Sequence, residues 1–219
     1  MTTTILFDLD GTVIDSTEAI LEGFRVSFEK FDITVPSDEI IKSHIGKTLD
    51  DMFKEMGVTD SNLIDKLVDS YKMHYRTIHL EKTKLLDGAK EAIKEANKFA
   101  ILGVVTTKTG KYSAEILRHL GVMDYFRTLV GREHVTYPKP HAQPILKALE
   151  NLNHKKKDTV WMIGDTPMDI LSASNAGVNS VAVTSGYASY VELNRCASKI
   201  CTDVSEAVKY IKNYDAIYK

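Results

Sequence analysis

Four apolar runs of strand length punctuate the chain: "ILFDLD" from Ile5, "AILGVVTT" from Ala100, "TVWMIGDT" from Thr159 and "SVAVTSG" from Ser180. They are rich in Val and Ile and show no period-two alternation, the pattern of strands buried on both faces. Helical periodicity fills the intervals, at 89–98, 112–120, 145–152 and 169–176, the last followed by Gly177 at the expected C′ position. Strand and helix alternating over short connections predict a parallel sheet covered by helices.

One segment breaks the alternation. From about residue 15 to residue 83 only helical periodicity is found, with Ile20, Phe24, Phe28 and Phe31 on one face and Leu63, Ile64, Leu67, Tyr71 and Ile78 on another. A helical block inserted after the first strand reads as a small separate domain at 15–83, leaving 1–14 and 84–219 as the α/β core. No internal repeat or low-complexity tract is evident.

Composition narrows the functional classes. At 43% apolar and 26% charged residues the chain is globular, and its net charge of −2 marks no nucleic-acid or membrane surface. The basic run 155–157 is expected to be a solvated turn. The apolar runs are too short to span a bilayer, and the opening Met1-Thr-Thr-Thr does not read as a signal peptide, so the expected location is cytoplasmic. Cys196 and Cys201, without a nearby His or further Cys, are read as structural thiols.

The candidate chemistry sits where the strands end. The first run closes in Asp8-Leu-Asp10-Gly-Thr12, the second in Thr106-Thr107-Lys108, and the third in Gly164-Asp165-Thr166-Pro-Met-Asp169. In an open parallel sheet, ligands bind beyond the carboxyl ends of the strands. Neighbouring tips would gather Asp8, Asp10 and Asp165 with a hydroxyl residue, an oxygen set suited to a hard divalent cation, Mg²⁺ before Ca²⁺. Thr166 fits a helix N-cap, Pro167 the first helical position, and Asp169 the positive end of that helix. Leu9 continues the apolar run, so the first two acids lie at a strand end, where burying like charges is costly without a shared cation or proton.

Taken in order, these pieces resemble the haloacid dehalogenase superfamily, in particular its magnesium-dependent, phosphoglycolate-phosphatase-like branch. The family's DxDGT is matched by residues 8–12, its Thr/Ser by Thr106 in "GVVTTKTG", its lysine by Lys139 in "YPKPHAQPI", and its GDxxxD by Gly164, Asp165 and Asp169. The resemblance covers nearly the whole chain. It implies a Rossmann-like parallel-sheet core with an inserted all-α cap at 15–83, and a phosphoric monoester hydrolase acting on a small phosphorylated metabolite, phosphoglycolate first, as a monomer or homodimer. Asp8 would be the nucleophile and Asp10 the general acid and base. Mg²⁺ would be held by Asp8, the backbone carbonyl of Asp10, and Asp165, with Asp169 ordering the outer shell. Thr106 and Lys139 would bind phosphoryl oxygens, together with backbone N–H groups at Gly11 and Thr107. The chain departs from relatives at Ala142 and Gln143, and at Thr107, where Asn is common.

Alternatives share the scaffold. A β-phosphoglucomutase would use every core motif but usually carries an Arg shortly after the cap glycine, where "SHIGKTLDDMF" has Lys47. An inorganic pyrophosphatase and a non-catalytic phosphate-sensing module are the others. Gly46-Lys47-Thr48 resembles the end of a P-loop, but position 41 is Ile41 and no strand precedes it. It is read as a cap loop facing the site, with His44 and Lys47 as substrate contacts and Arg76 as a partner for an anionic tail.

Overall fold

The computed structural model describes residues 2–155 and 158–218. Of the basic run expected to form a solvated turn, Lys156 and Lys157 lie outside the described residues. The chain opens with β1 (Thr3–Phe7), buried along its whole length. After the short strand β2 (Ile14–Asp15) come four helices, α1 (Thr17–Lys30), α2 (Asp38–Ser43), α3 (Leu49–Glu55) and α4 (Ser61–Ile78). The strand β3 (Lys84–Leu85) then returns antiparallel to β2, pairing Ile14 with Leu85 and Asp15 with Lys84. This two-stranded neck is too short to be read from periodicity, and it stands at both ends of the helical block.

Beyond the neck, strand and helix alternate: α5 (Ala89–Ala96), β4 (Ala100–Val105), α6 (Gly110–His119), β5 (Phe126–Val130), α7 (Gln143–Asn151), β6 (Thr159–Gly164), α8 (Pro167–Asn175) and β7 (Asn179–Val183). The chain closes with α9 (Tyr190–Leu193), β8 (Ile200–Cys201) and α10 (Val204–Tyr218). The main sheet is parallel, ordered β5-β4-β1-β6-β7-β8. Two of its strands, β5 and β8, were not among the four apolar runs. The first, "FRTLV", is interrupted by Arg127, and the second has only two residues.

Lack of alternation in the strands has a direct cause. Ile5, Phe7, Leu102, Val104, Trp161 and Ile163 pack on one face of the sheet with residues of α5, α6 and α10. Leu6, Val105, Val130, Val160 and Met162 pack on the other with α7 and α8. Trp161 is buried edge-on to Tyr210 and Tyr214.

The inserted helices have a core of their own. Ile20, Phe24 and Phe28 of α1 meet Met52 and Phe53 of α3 and Ile64, Leu67 and Tyr71 of α4. The α1 and α4 faces expected from periodicity are therefore the ones that touch, although Leu63, Phe31 and Ile78 are only partly buried at the margin. Among the described residues no helix is long and apolar enough to cross a membrane.

The register of β1 sets up the site. Phe7 stands opposite Val104 on one side and Ile163 on the other, so Asp8, Thr106 and Asp165 leave the sheet at nearly the same level. The connection from β1 runs first to β4 on one flank and later to β6 on the other, which opens a crevice at the tip of β1.

Phe24 is fully buried, with ring centroids 4.8 Å from Phe53 and 4.9 Å from Tyr71. Phe24→Ala should destabilise the helical block by about 3–5 kcal/mol. Urea denaturation followed by circular dichroism checks this, and a loss below about 1 kcal/mol would show that the cluster does not hold the block together.

Candidate active site

The chain turns sharply after β1. Leu9 is buried, and its carbonyl accepts from the N–H groups of Thr12, Val13 and Ile14 at 3.1, 2.8 and 3.0 Å. Gly11 has φ +83°, and a Cβ there would lie 2.4 Å from Asp165 Oδ2, so this turn requires glycine on two counts. The turn separates the two acids of the motif. Asp8 points into the sheet crevice, while the Asp10 carboxylate faces the cap, where it accepts from Ser16 Oγ and lies 3.2 Å from Lys108 Nζ.

Asp8, Asp165 and Asp169 are buried together, with one oxygen of each within 4.8 Å of the others. Lys139 is the counter-charge. Its ammonium lies 2.9 Å from Asp8 Oδ1, binds Asp169 Oδ1, and donates to the Val105 carbonyl at 3.3 Å. The other Asp169 oxygen accepts from Thr166 N at 3.1 Å and Thr166 Oγ1 at 2.7 Å, which fixes Asp169 in the first turn of α8. Asp165 accepts from Thr12 Oγ1 at 3.0 Å and Tyr187 N at 2.9 Å.

Burial pushes the Asp8 carboxyl up to about 7, against the pull of Lys139. Asp165 is driven well above the ordinary carboxylate range by burial and by its acidic neighbours Asp169 and Asp8. Lys139 itself is shifted upward, because Asp169 and Asp8 outweigh the burial that would lower it. Three buried carboxyl groups share one ammonium, two of them holding their protons unusually tightly, and the donors are all oxygens. The residues therefore fit a hard divalent cation. The Asp10 carbonyl, which accepts no hydrogen bond among the described residues, is available beside them. The Asp10 carboxylate is not part of the cluster.

The expected phosphate ligands surround this point unevenly. Thr106 is buried and its Oγ1 accepts from Lys108 N at 3.1 Å, which leaves its hydroxyl proton free to donate. Thr107 Oγ1 is turned away to the Gly46 carbonyl at 2.9 Å, but no hydrogen bond among the described residues takes the Thr107 N–H. The Gly11 N–H itself donates to the Ile14 carbonyl at 2.9 Å to close the turn, and next to it, among the described residues, no hydrogen bond takes the Asp10 N–H.

The cap residues divide. Lys47 lines the cavity between cap and core and is ion-paired with Glu55. His44 lies 3.0 Å from the same Glu55 and does not line that cavity. Arg76 lines it, with Nε donating to Tyr112 OH at 2.7 Å.

Several residues escaped the sequence reading. Lys108, named there only as the end of the second run, holds Asp10 and donates to Tyr75 OH at 2.9 Å. Burial lowers the proton affinity of Lys108, but Asp10, Tyr75 and Tyr71 together outweigh it and the net shift is upward. Gly186 packs so tightly on Asp165 that a Cβ would fall 1.9 Å from Oδ2. The only sequence signal for Gly186 and Tyr187 was their place at the carboxyl end of a strand-like run.

Comparison with known proteins agrees with this geometry. The family model described as haloacid dehalogenase-like hydrolase matches residues 5–183. Pyrophosphatase PpaX of Halalkalibacterium halodurans is 33% identical over 186 residues, 84% of each chain. Pyrophosphatase PpaX of Bacillus mycoides is 32% identical over 183 residues, 83% of each. Among solved structures, a predicted phosphatase from Clostridium acetobutylicum superposes with a TM-score of 0.88 at 30% identity, covering 97% of this chain and 99% of that one. A haloacid dehalogenase-like family hydrolase from Streptococcus pneumoniae gives 0.84 at 25% identity, covering 96% and 98%.

The raised Asp8 value has a definite sign. A carboxyl whose folded pKa lies above its unfolded value of about 4 favours the protonated native state, so metal-free protein should lose stability as pH rises from about 4 to about 7. A divalent cation binds the ionised cluster and should raise the melting temperature more at pH 8 than at pH 5. Melting curves with chelator and with millimolar Mg²⁺ at both values check this. An equal shift at both would argue against a cation on these acids.

Proposed function

The chain belongs to the haloacid dehalogenase-like hydrolase family, and on that premise we propose that it is a Mg²⁺-dependent phosphatase acting through an aspartyl-phosphate on Asp8. The observation that carries the proposal is the separation of the two acids of one motif. Asp8 lies in a buried cluster with Lys139, and Asp10 stands outside it, facing the cavity under the cap.

Asp8 attacks phosphorus, and the bond to the leaving oxygen breaks as Asp10 delivers a proton to that oxygen. The leaving alcohol departs, and Asp10, now a carboxylate, takes a proton from the water that attacks the aspartyl-phosphate. Inorganic phosphate is released and Asp8 is restored. Lys139, the Thr106 hydroxyl and the N–H groups of Asp10 and Thr107 are the donors for the phosphoryl oxygens. Asp8, the Asp10 carbonyl and Asp165 would hold Mg²⁺, with Asp169 in support. The ion's contribution is to offset repulsion between an anionic nucleophile and an anionic phosphate. Gly11 shapes the loop.

The helical block at 15–83 is the cap of this enzyme. It is docked on the core through the Thr107–Gly46 contact and through Thr17 Oγ1, 3.0 Å from Tyr187 OH, so that it covers the site and excludes bulk water. Phosphoglycolate is the first substrate to test by resemblance. Pyrophosphate is the second reading, supported by the relatives that carry the name pyrophosphatase.

Phosphate release from both should require Mg²⁺ and vanish with chelator or with Asp8→Asn. Asp10→Asn should lower kcat by about 10²–10⁴-fold. Rapid quenching of wild type with radiolabelled ester should trap label on Asp8. Turnover that survives Asp8→Asn would remove the covalent mechanism.

A further inference from the structure

Cap and core meet around a cavity of about 490 Å³ that begins at Asp10. One wall is a single face of α4, since Val68, Tyr71, Lys72, Tyr75 and Arg76 recur at helical spacing and all line it. Ile45, Leu49 and Met52 of the cap and Tyr112 of the core close it from other sides. The aromatic part is continuous: Tyr71 stacks on Tyr75 at 5.4 Å, and the Tyr112 ring lies 5.8 Å from that of Tyr75.

This space is not left by a raised cap. Thr107 Oγ1 reaches the Gly46 carbonyl at 2.9 Å, Lys108 Nζ reaches Tyr75 OH at 2.9 Å, and Arg76 Nε reaches Tyr112 OH at 2.7 Å, so both sides are already in contact around it. Its volume and apolar lining are those of a site for an organic molecule with a body of its own. Pyrophosphate would deliver a second phosphate into the cavity, with no carbon to cover Ile45, Leu49, Met52 or Val68. Glycolate would bring two carbons.

The charges add a second requirement. Lys47 is tied to Glu55 and Lys108 to Asp10. Among the described residues, no carboxylate pairs with Lys72, Arg76 or Lys111, which also line the cavity. Deepening the phosphatase reading and resting on it, we propose that the leaving group is a ring-bearing alcohol or phenol with a second anionic group. Its ring lies against Tyr71 and Tyr112, among Ile45, Leu49, Met52 and Val68, and its anion is met by Arg76, with Lys72 and Lys111 beside it.

The test uses the whole protein with Mg²⁺ and two pairs of esters matched in leaving-group type. 4-Carboxyphenyl phosphate against phenyl phosphate isolates the second anion. Phosphomandelate against 2-phospholactate, which differ only in phenyl against methyl, isolates the ring. The first member of each pair should have a kcat/KM at least tenfold higher, mainly through KM. Arg76→Gln should cut the 4-carboxyphenyl preference about tenfold, and Arg76 is exposed, so the variant is expected to fold. Parity in either pair, or a kcat/KM for pyrophosphate above those of both ring-bearing esters that carry the second anion, overturns the proposal. A preference that survives Arg76→Gln overturns the place given to the anion. Failure of every ester, phenyl phosphate included, would instead sink the phosphatase reading.

Discussion

Like charges brought together where water cannot reach them must be neutralised, and much of this molecule is arranged around that demand. Asp8, Asp165 and Asp169 come from two strand ends and the first turn of a helix, and the Lys139 ammonium bridges two of them. A buried ammonium of this kind is a poor source of net stability, because desolvation consumes much of its attraction. Its value lies in holding the Asp8 carboxyl group in one place while leaving three carboxyl groups with a single ammonium among them. An oxygen set of that kind fits a hard divalent cation. The glycines packed against Asp165 follow from the constraint as well, since no side chain fits beside an acid so closely walled in.

How far the site could be read from sequence depended on how local each contact is. Asp8, Asp10, Asp165 and Asp169 were legible because each sits at a strand end or helix start, where burial of the run predicts the position of the tip. The parallel sheet was legible for the same reason, from runs buried on both faces. Strands β5 and β8 were not, because one carries Arg127 on its exposed side and the other is only two residues long. Lys108 could not be assigned, since its partners lie at the other end of the core sequence and on a cap helix. Which N–H near Gly11 stays free was not legible, because a hydrogen bond inside a tight turn leaves no trace in residue type.

Division of labour between the two layers is visible in the chemistry of their surfaces. The strand ends contribute carboxylates, a hydroxyl, one lysine and backbone amides, gathered at the tip of β1. The cap contributes tyrosines, aliphatic side chains and long cationic ones, spread along a wall. Between them stands Asp10, whose carboxylate belongs to the core by sequence but is held from the side of the cap by Lys108, itself seated on the Tyr75 ring at 4.7 Å. The polar tip of the sheet and the wall of the cap therefore meet at one side chain.

The neck formed by Ile14–Asp15 and Lys84–Leu85 has a consequence of another kind. Because the two strands pair antiparallel, the chain leaves the core and re-enters it at adjacent points. To the core, the entire helical insertion is the tip of a hairpin, and hairpin tips tolerate changes of length at little cost. The insertion also carries its own apolar cluster, so it can drift in sequence, or be exchanged for a different body, without disturbing the register that aligns the acids. An architecture of this kind lets ancestry preserve one reaction while its clientele turns over.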